Sequence, residues 1–371
     1  MKKFLTLVVA LMILMCGSTT FAAERLIEAT GDYIMDSRLD ETPASATARA
    51  REEAKRAAVE EAGIYLQSYS NMVDFKLKVD EIKSIAAGLL KVQDESSNVE
   101  VVEGTLLKFT VTIKALVKEI SDEDLKSMMQ NRQALDEMTR KYNELQAQYD
   151  AVNQQMEKLK SDYDAADEAR KAEIKREVAL NSEKFSAVDE LSKGNTFAIN
   201  GNLSQALAAY DKAIQFNPQL SEAFNNRGTV RHELGQLSEA IDDYSAAIKL
   251  KSDYAEAYNN RGNAYAALER FAEAERDLQT AVKLKDNSAA IHNNLGSVYL
   301  SQKKFDAALK EYTRALQLNP TYGEALYNRA VVYYAQGNFS AAMTDVDAAL
   351  KLNPNDSATR ELRDKIKAKV G

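Results

Sequence analysis

A chain of 371 residues is long enough for two or three separately packed domains. Its 56 acidic residues against 48 Lys and Arg leave a net charge of −8, the wrong sign for a nucleic-acid partner. The single cysteine, Cys16, excludes a disulfide framework and thiol catalysis in everything that follows it.

Met1-Lys2-Lys3 opens the chain, an apolar run follows from Phe4 to Met15, and Ser18-Thr19-Thr20-Phe21-Ala22 offers small residues at −3 and −1 of a cut after Ala22. Residues 1–22 read as a secretory leader, too short for a comfortable membrane span. The expected location is therefore periplasmic or secreted, with no transmembrane span elsewhere. A lipid anchor at Cys16 is the alternative, which Ile13-Leu14-Met15 fits poorly because a small residue should precede the modified cysteine.

Residues 23–120 have the texture of a small α+β domain. Arg25 to Met35 alternates as a strand does, and Thr42-Pro43 is an N-cap and N1 pair. A long helix follows, with Ala46, Ala50, Ala54, Ala57, Ala58 and Ala62 as a small-residue stripe. A second helix is expected from about Asp80 to Leu90. Glu100–Val102 and Leu106–Val117 read as a hairpin, since LKFTVTIKALV alternates with period two. The order β-α-α-β-β implies helices on one face of a small sheet. Ala29-Thr30-Gly31-Asp32-Tyr33, the run Arg49 to Ala58 and Ile85-Ala86-Ala87-Gly88 resemble the N-terminal domain of flagellar-assembly proteins of the T type and of small outer-membrane lipoproteins. That resemblance implies an envelope location and an interaction role, and names no activity.

Residues 121–186 are expected to form one long helix. Leu125 to about Ala187 contains no Pro or Gly, and Leu135, Met138, Tyr142, Leu145, Tyr149, Val152, Met156, Leu159, Tyr163 and Ala166 keep a 3-4 spacing without a slip. A continuous helix there spans roughly 90 Å. One reading is a coiled coil that makes a homo-oligomer through residues 135–166. The other is a helix folded back on its own domain, or a spacer.

A 34-residue period then runs through 187–356 as five units, 187–220, 221–254, 255–288, 289–322 and 323–356. Gly194, Gly228, Gly262, Gly296 and Ala330 fill unit position 8; alanine fills positions 20 and 27 throughout. Small residues at fixed places let two helices approach closely, and equal spacing marks stacked helix–turn–helix units. Phe197, Tyr265, Tyr299 and Tyr333 supply an aromatic at position 11, where Arg231 departs. Tyr210, Tyr244 and Tyr312 fill position 24, and Pro218, Pro320 and Pro354 end the second helix. These residues closely resemble tetratricopeptide repeats, which implies a mainly α protein whose C-terminal half is an α-solenoid. Residues 357–371 are expected to hold a polar capping helix.

No catalytic constellation appears: there is no P-loop, no GxSxG, no HExxH and no dinucleotide fingerprint. His232 and His292 are the only histidines, sit in different units without metal-ligand spacing, and read as solvated or packed side chains. Asp242-Asp243 and Asp122-Glu123-Asp124 read as solvated or capping groups. No enzyme, cofactor or metal is expected.

In the family resembled, the first helix of each unit lines the concave face, through positions 2, 5, 6, 9, 12 and 13. Position 6 is Asn226, Asn260, Asn294 and Asn328; position 5 adds Asn225, Asn259 and Asn293; position 9 adds Asn195 and Asn263. Such a row of amides suits the backbone of an extended peptide, and resembles the asparagine ladder of the O-linked N-acetylglucosamine transferases, whose catalytic domain is absent. The alternative is that these amides bond neighbouring helices. The carboxylate clamp of chaperone-binding relatives needs Lys at position 5 and at position 2. Neither occurs here, and Glu222, Glu256 and Glu324 at position 2 favour neutral or basic ligands. Arg227, Arg261 and Arg329 at position 7 are expected to pack their stems and keep their heads wet. The function these features imply is a non-enzymatic exported scaffold that binds a protein or peptide. A lipid-anchored outer-membrane assembly or secretion accessory is the alternative.

Overall fold

The computed structural model describes residues 25–72, 77–117 and 132–370, in two compact bodies, Met1–Lys160 and Ser161–Gly371. The leader with Cys16, the stretch 121–131 and the Asp122-Glu123-Asp124 cluster lie outside the described residues. Among those described, no helix is long and apolar enough to cross a membrane.

The first body begins with β1 (Arg25–Asp36), α1 (Pro43–Met72), α2 (Val79–Leu89), β2 (Leu90–Glu103) and β3 (Leu106–Val117). The sheet order is β1-β3-β2, antiparallel throughout, with β3 in the middle. Thr42 caps α1 as its sequence requires: its Oγ1 accepts the Ser45 N–H at 3.1 Å. Alternation sends Ile27, Ala29 and Met35 of β1, and Phe109, Val111, Ile113 and Val117 of β3, into one core with Ala46, Ala50, Ala54, Ala58 and Ala62 of α1 and Ile82, Ile85 and Ala86 of α2. Ala57, counted in the stripe from its spacing, is exposed. The alanines let α1 lie directly on β1, so close that a Cβ at Gly31 would collide with the carbonyl oxygen of Ala50 and the amide nitrogen of Ala54. The middle of the opposite face is polar, with Thr30 and Thr112 hydroxyls 3.0 Å apart and Thr110 donating to Asp32 at 2.7 Å, while Leu26 and Ile34 are exposed toward the ends of β1.

Strand β2 departs from the expected three residues: it starts at Leu90 and runs for 14. Its residues Lys91 to Asn98 are exposed and, Val92 apart, polar, so no apolar alternation announces them. Backbone pairing to β3 holds them in line, with register shifts at Val92/Asp94 and Val101/Glu103, and Arg51 of α1 grips Glu95 at 2.7 Å.

The expected continuous helix is two helices, α3 (Arg132–Ala165) and α4 (Glu168–Ile199), broken where Asp167 leaves the helical conformation and accepts the Arg170 N–H at 2.8 Å. Every seam position from Leu135 to Leu159 that the sequence picks out is buried or half-buried. Their cover includes the protein's own first domain. Leu135, Met138 and Tyr142 join the core under α1 and α2. Further along, Gln146 donates to Glu52 at 3.1 Å, Asp150 pairs with Arg56 at 2.7 Å, and Asn153 accepts from Arg49 at 3.0 Å. Lys160 ends the contact by donating to the Tyr33 hydroxyl at 2.6 Å and the Ile34 carbonyl at 3.0 Å. Its ammonium lies 4.4 Å from the Tyr33 ring centre. The domain therefore continues to Lys160 rather than ending at residue 120.

In the second body α4 runs without interruption into the first repeat and supplies its inner helix. There follow α5 (Leu203–Phe216), α6 (Ser221–Glu233), α7 (Leu237–Leu250), α8 (Ala255–Ala267), α9 (Phe271–Leu284), α10 (Ala289–Ser301), α11 (Phe305–Leu318), α12 (Gly323–Ala335), α13 (Phe339–Leu352) and α14 (Ser357–Val370). The inner helices are α4, α6, α8, α10 and α12. The alanines at positions 20 and 27 are all buried, and the position-24 tyrosines Tyr210, Tyr244 and Tyr312 are at most 2% exposed. Helix α14 closes the stack by burying Leu362 and Ile366 against Val346 and Leu350 while its other face stays wet.

Candidate functional site

The asparagines lie on the inner helices and bond to one another. Asn260 donates to Asn225 at 3.1 Å, Asn294 to Asn259 at 2.9 Å and Asn328 to Asn293 at 3.1 Å, each from position 6 of one unit to position 5 of the unit before. Within a unit the direction is kept, Asn225 donating to Asn226 at 3.1 Å and Asn259 to Asn260 at 3.2 Å. Asn226 then donates to Asn195 at 2.9 Å, which also accepts the Tyr210 hydroxyl at 2.9 Å. At the other end Asn293 donates to Glu324 at 3.0 Å. Asn225 and Asn293 are buried, and Asn195, Asn226, Asn259, Asn260, Asn294 and Asn328 are half-buried. Asn263 is half-buried and stands apart from the row. Eight amides are thus held in fixed orientation by their neighbours, seven of them as donors, and each donating Nδ2 group carries two hydrogens of which the row uses one.

The position-7 arginines differ from expectation. Their heads are not left to water but grip a buried aspartate at position 23 of the same unit. Arg227 meets Asp243 at 3.0 and 2.6 Å, Arg261 meets Asp277 at 2.6 and 2.9 Å, and Arg329 meets Asp345 at 2.7 and 2.8 Å. Asp243, read as a solvated surface acid, is 3% exposed. The remaining nitrogen of each fork reaches position 25 of the preceding unit: Asp211, Ser245 Oγ at 2.9 Å, and Thr313 Oγ1 at 3.3 Å. Planar guanidinium and carboxylate match in a two-point contact, so one side chain joins two helices of its own unit and a third from its neighbour. An aspartate sixteen residues after each position-7 arginine is the signal in the sequence that identifies these forks.

Two polar systems, amide row and arginine forks, therefore brace the units. Among the described residues no group of three or more His, Cys, Asp or Glu could hold a metal ion. Of the histidines, His232 is half-buried and His292 is 3% exposed, with a partner on each ring nitrogen.

The array matches the TPR repeat model over residues 194–235, 228–269 and 296–337, and the Tetratricopeptide repeat model over 255–288 and 323–356. Its helices form a tetratricopeptide-repeat solenoid, a scaffold fold for protein interaction. No curated protein sequence gives a significant match. Similar solved structures include YrrB, described as a TPR protein with an unusual peptide-binding site, at 23% identity over 51% of this chain and 96% of that one, TM-score 0.42. A pilF protein of Pseudomonas aeruginosa is 20% identical over 51% and 91%, TM-score 0.45. A thermophilic TPR protein of Thermus thermophilus is 24% identical over 50% and 98%, TM-score 0.42.

Proposed function

We propose that this chain is an exported, non-enzymatic adaptor that receives a protein or extended peptide along the inner helices of its repeat array. The observation that carries the reading is the oriented amide row. Asn226, Asn260, Asn294 and Asn328 each donate one hydrogen bond within the row, remain half-open to solvent, and keep a second N–H for a carbonyl of a bound backbone. Preorganised donors cost little ordering entropy on binding. Glu222, Glu256 and Glu324 on the same helices favour a neutral or basic segment. Export rests on residues 1–22, and the envelope-like residues 29–33 and 49–58 support docking of the first domain to an envelope component. Oligomerisation through residues 135–166 is not part of this reading, because α1, α2 and β1 already occupy much of that seam.

The test is capture from an envelope extract by the chain from residue 23 onward, against a variant carrying Glu233→Arg, Ala267→Arg and Ser301→Arg. These exposed sites share the inner helices with the row but lie outside it. A partner held by the wild type and lost by the equally stable variant supports the reading. Equal capture by both moves the interface elsewhere and ends it.

A further inference from the structure

The fourth unit breaks the pattern of the forks. It has Leu295 at position 7 and Glu311 at position 23, so a half-buried acid stands without its arginine. His292, at position 4 of α10, takes the missing place. Its Nδ1 lies 2.7 Å from Glu311 Oε2, and its Nε2 lies 3.0 Å from the backbone carbonyl of Asp286 and 3.5 Å from that residue's carboxylate. Asp286 stands at position 32 of the third unit, where the first, fourth and fifth units have proline, and Arg314 holds its carboxylate at 2.6 Å.

Both ring nitrogens face acceptors. A neutral imidazole has one N–H and one lone pair, so either tautomer would turn a lone pair toward an oxygen. Only the imidazolium satisfies both contacts. We propose that the joint between the third and fourth units is a proton-operated clasp: the His292 imidazolium ties α10 to α11 through Glu311 and to the preceding unit through Asp286, and loss of its proton slackens that joint alone. The forks at Arg227, Arg261 and Arg329 stay charged at any physiological pH. The charged groups around His292 are Glu311 and Arg314 on α11 and Asp286 in the connection before α10; α10 itself carries none. Burial works against the charge, but Glu311 and the Asp286 carbonyl and carboxylate outweigh it and hold the imidazole above its ordinary value. A raised folded-state value stabilises fully below about pH 6.5 and is lost as pH rises through that value. The joint is therefore firm in mild acid and looser in mild alkali, whatever the array binds.

The full chain has two histidines, so proton NMR resolves His292 with His232 as internal reference. The expected midpoint for His292 lies above about 6.5. Glu311→Gln lowers that midpoint and leaves His232 where it was. In melting experiments the wild type exceeds His292→Gln by on the order of 2–4 °C near pH 6, and the gap closes by about pH 9, above the imidazole range. A His292 midpoint at or below about 6.5, or a gap that is the same at every pH, overturns the proposal. If His292→Gln does not fold, the titrations of the wild type and Glu311→Gln decide it by themselves.

Discussion

The ring of Tyr312 fills the space in which a side chain at Gly296 would stand: a Cβ there would come 2.7 Å from Tyr312 Cε1. Gly228 meets Tyr244 in the same way at 2.8 Å, and the one unit with alanine at position 8, Ala330, has the smaller Val346 opposite, both fully buried. Residue 8 and residue 24 are sized to each other. Gly296→Ala is expected to destabilise the array by about 1–2 kcal/mol, overpacking outweighing the better helix propensity of alanine. Gly296→Ala with Tyr312→Val, which reproduces the fifth unit, is expected to recover part of that loss in thermal melts. An additive double mutant would refute the coupling.

The forks should matter more than surface ion pairs. Asp277→Ala strands the Arg261 guanidinium, whose side chain is 18% exposed. A loss of about 2 kcal/mol is expected, below the 3–5 of a fully dry pair because some of the head remains wet. Arg270→Ala removes an exposed contact to Glu273 and should leave the melting temperature unchanged. Denaturant midpoints for the two variants make the comparison.

Asn260 sits inside the amide row, accepting from Asn259 and donating to Asn225. Asn260→Ala orphans a donor and an acceptor and is expected to cost about 1–3 kcal/mol. Unchanged stability with lost ligand capture would make the row a binding surface only, with no bracing role.

Alkaline pH probes the position-24 tyrosines. Burial pushes the hydroxyls of Tyr244 and Tyr312 up to about 12. Their ordinary value is near 10, so the unfolded chain loses these protons first. Stability is full below about pH 10 and falls as pH climbs toward 12, by about 2–3 kcal/mol per tyrosine at the upper end. Tyrosinate absorbance followed alongside circular dichroism should show these groups ionising together with loss of helix.

The first domain needs α3. A fragment of residues 25–120 lacks Leu135, Met138 and Tyr142, which cover α1 and α2. It is expected to melt without cooperativity and to bind a hydrophobic dye, whereas 25–165 should melt in one transition. Equal cooperativity would show that α3 is dispensable.

The repeats were legible because their constraints are local and recur. Fifteen small residues at three fixed phases, and prolines at a fourth, specify helix pairs without reference to distant residues. The amide row was legible as a pattern but not as a bonded chain. That depends on a 35-residue offset, as between Asn294 and Asn259, which follows only from the stacking of units. The forks were missed because an arginine at a normally apolar site reads as a snorkelling stem unless its aspartate is sought sixteen residues later. Strand β2 was mostly invisible, since it owes its conformation to pairing with β3 and has no buried face of its own. The seam of α3 was correctly periodic, but a period reports that a stripe is covered, not which chain covers it. Asp167, which interrupts the long helix, looks in sequence like any residue of a charged stretch.

The amide-to-amide bonds of the row all point one way, from later units toward Asn195, only the bond from Asn293 to Glu324 running forward, and each link from position 6 to position 5 joins the same two residue types. A gene duplication or excision of one whole 34-residue module in this region would meet the same donor on one side and the same acceptor on the other. The grip of the array can thus be lengthened or shortened in steps of one rung, a route to new ligand lengths that demands no compensating mutation along the row.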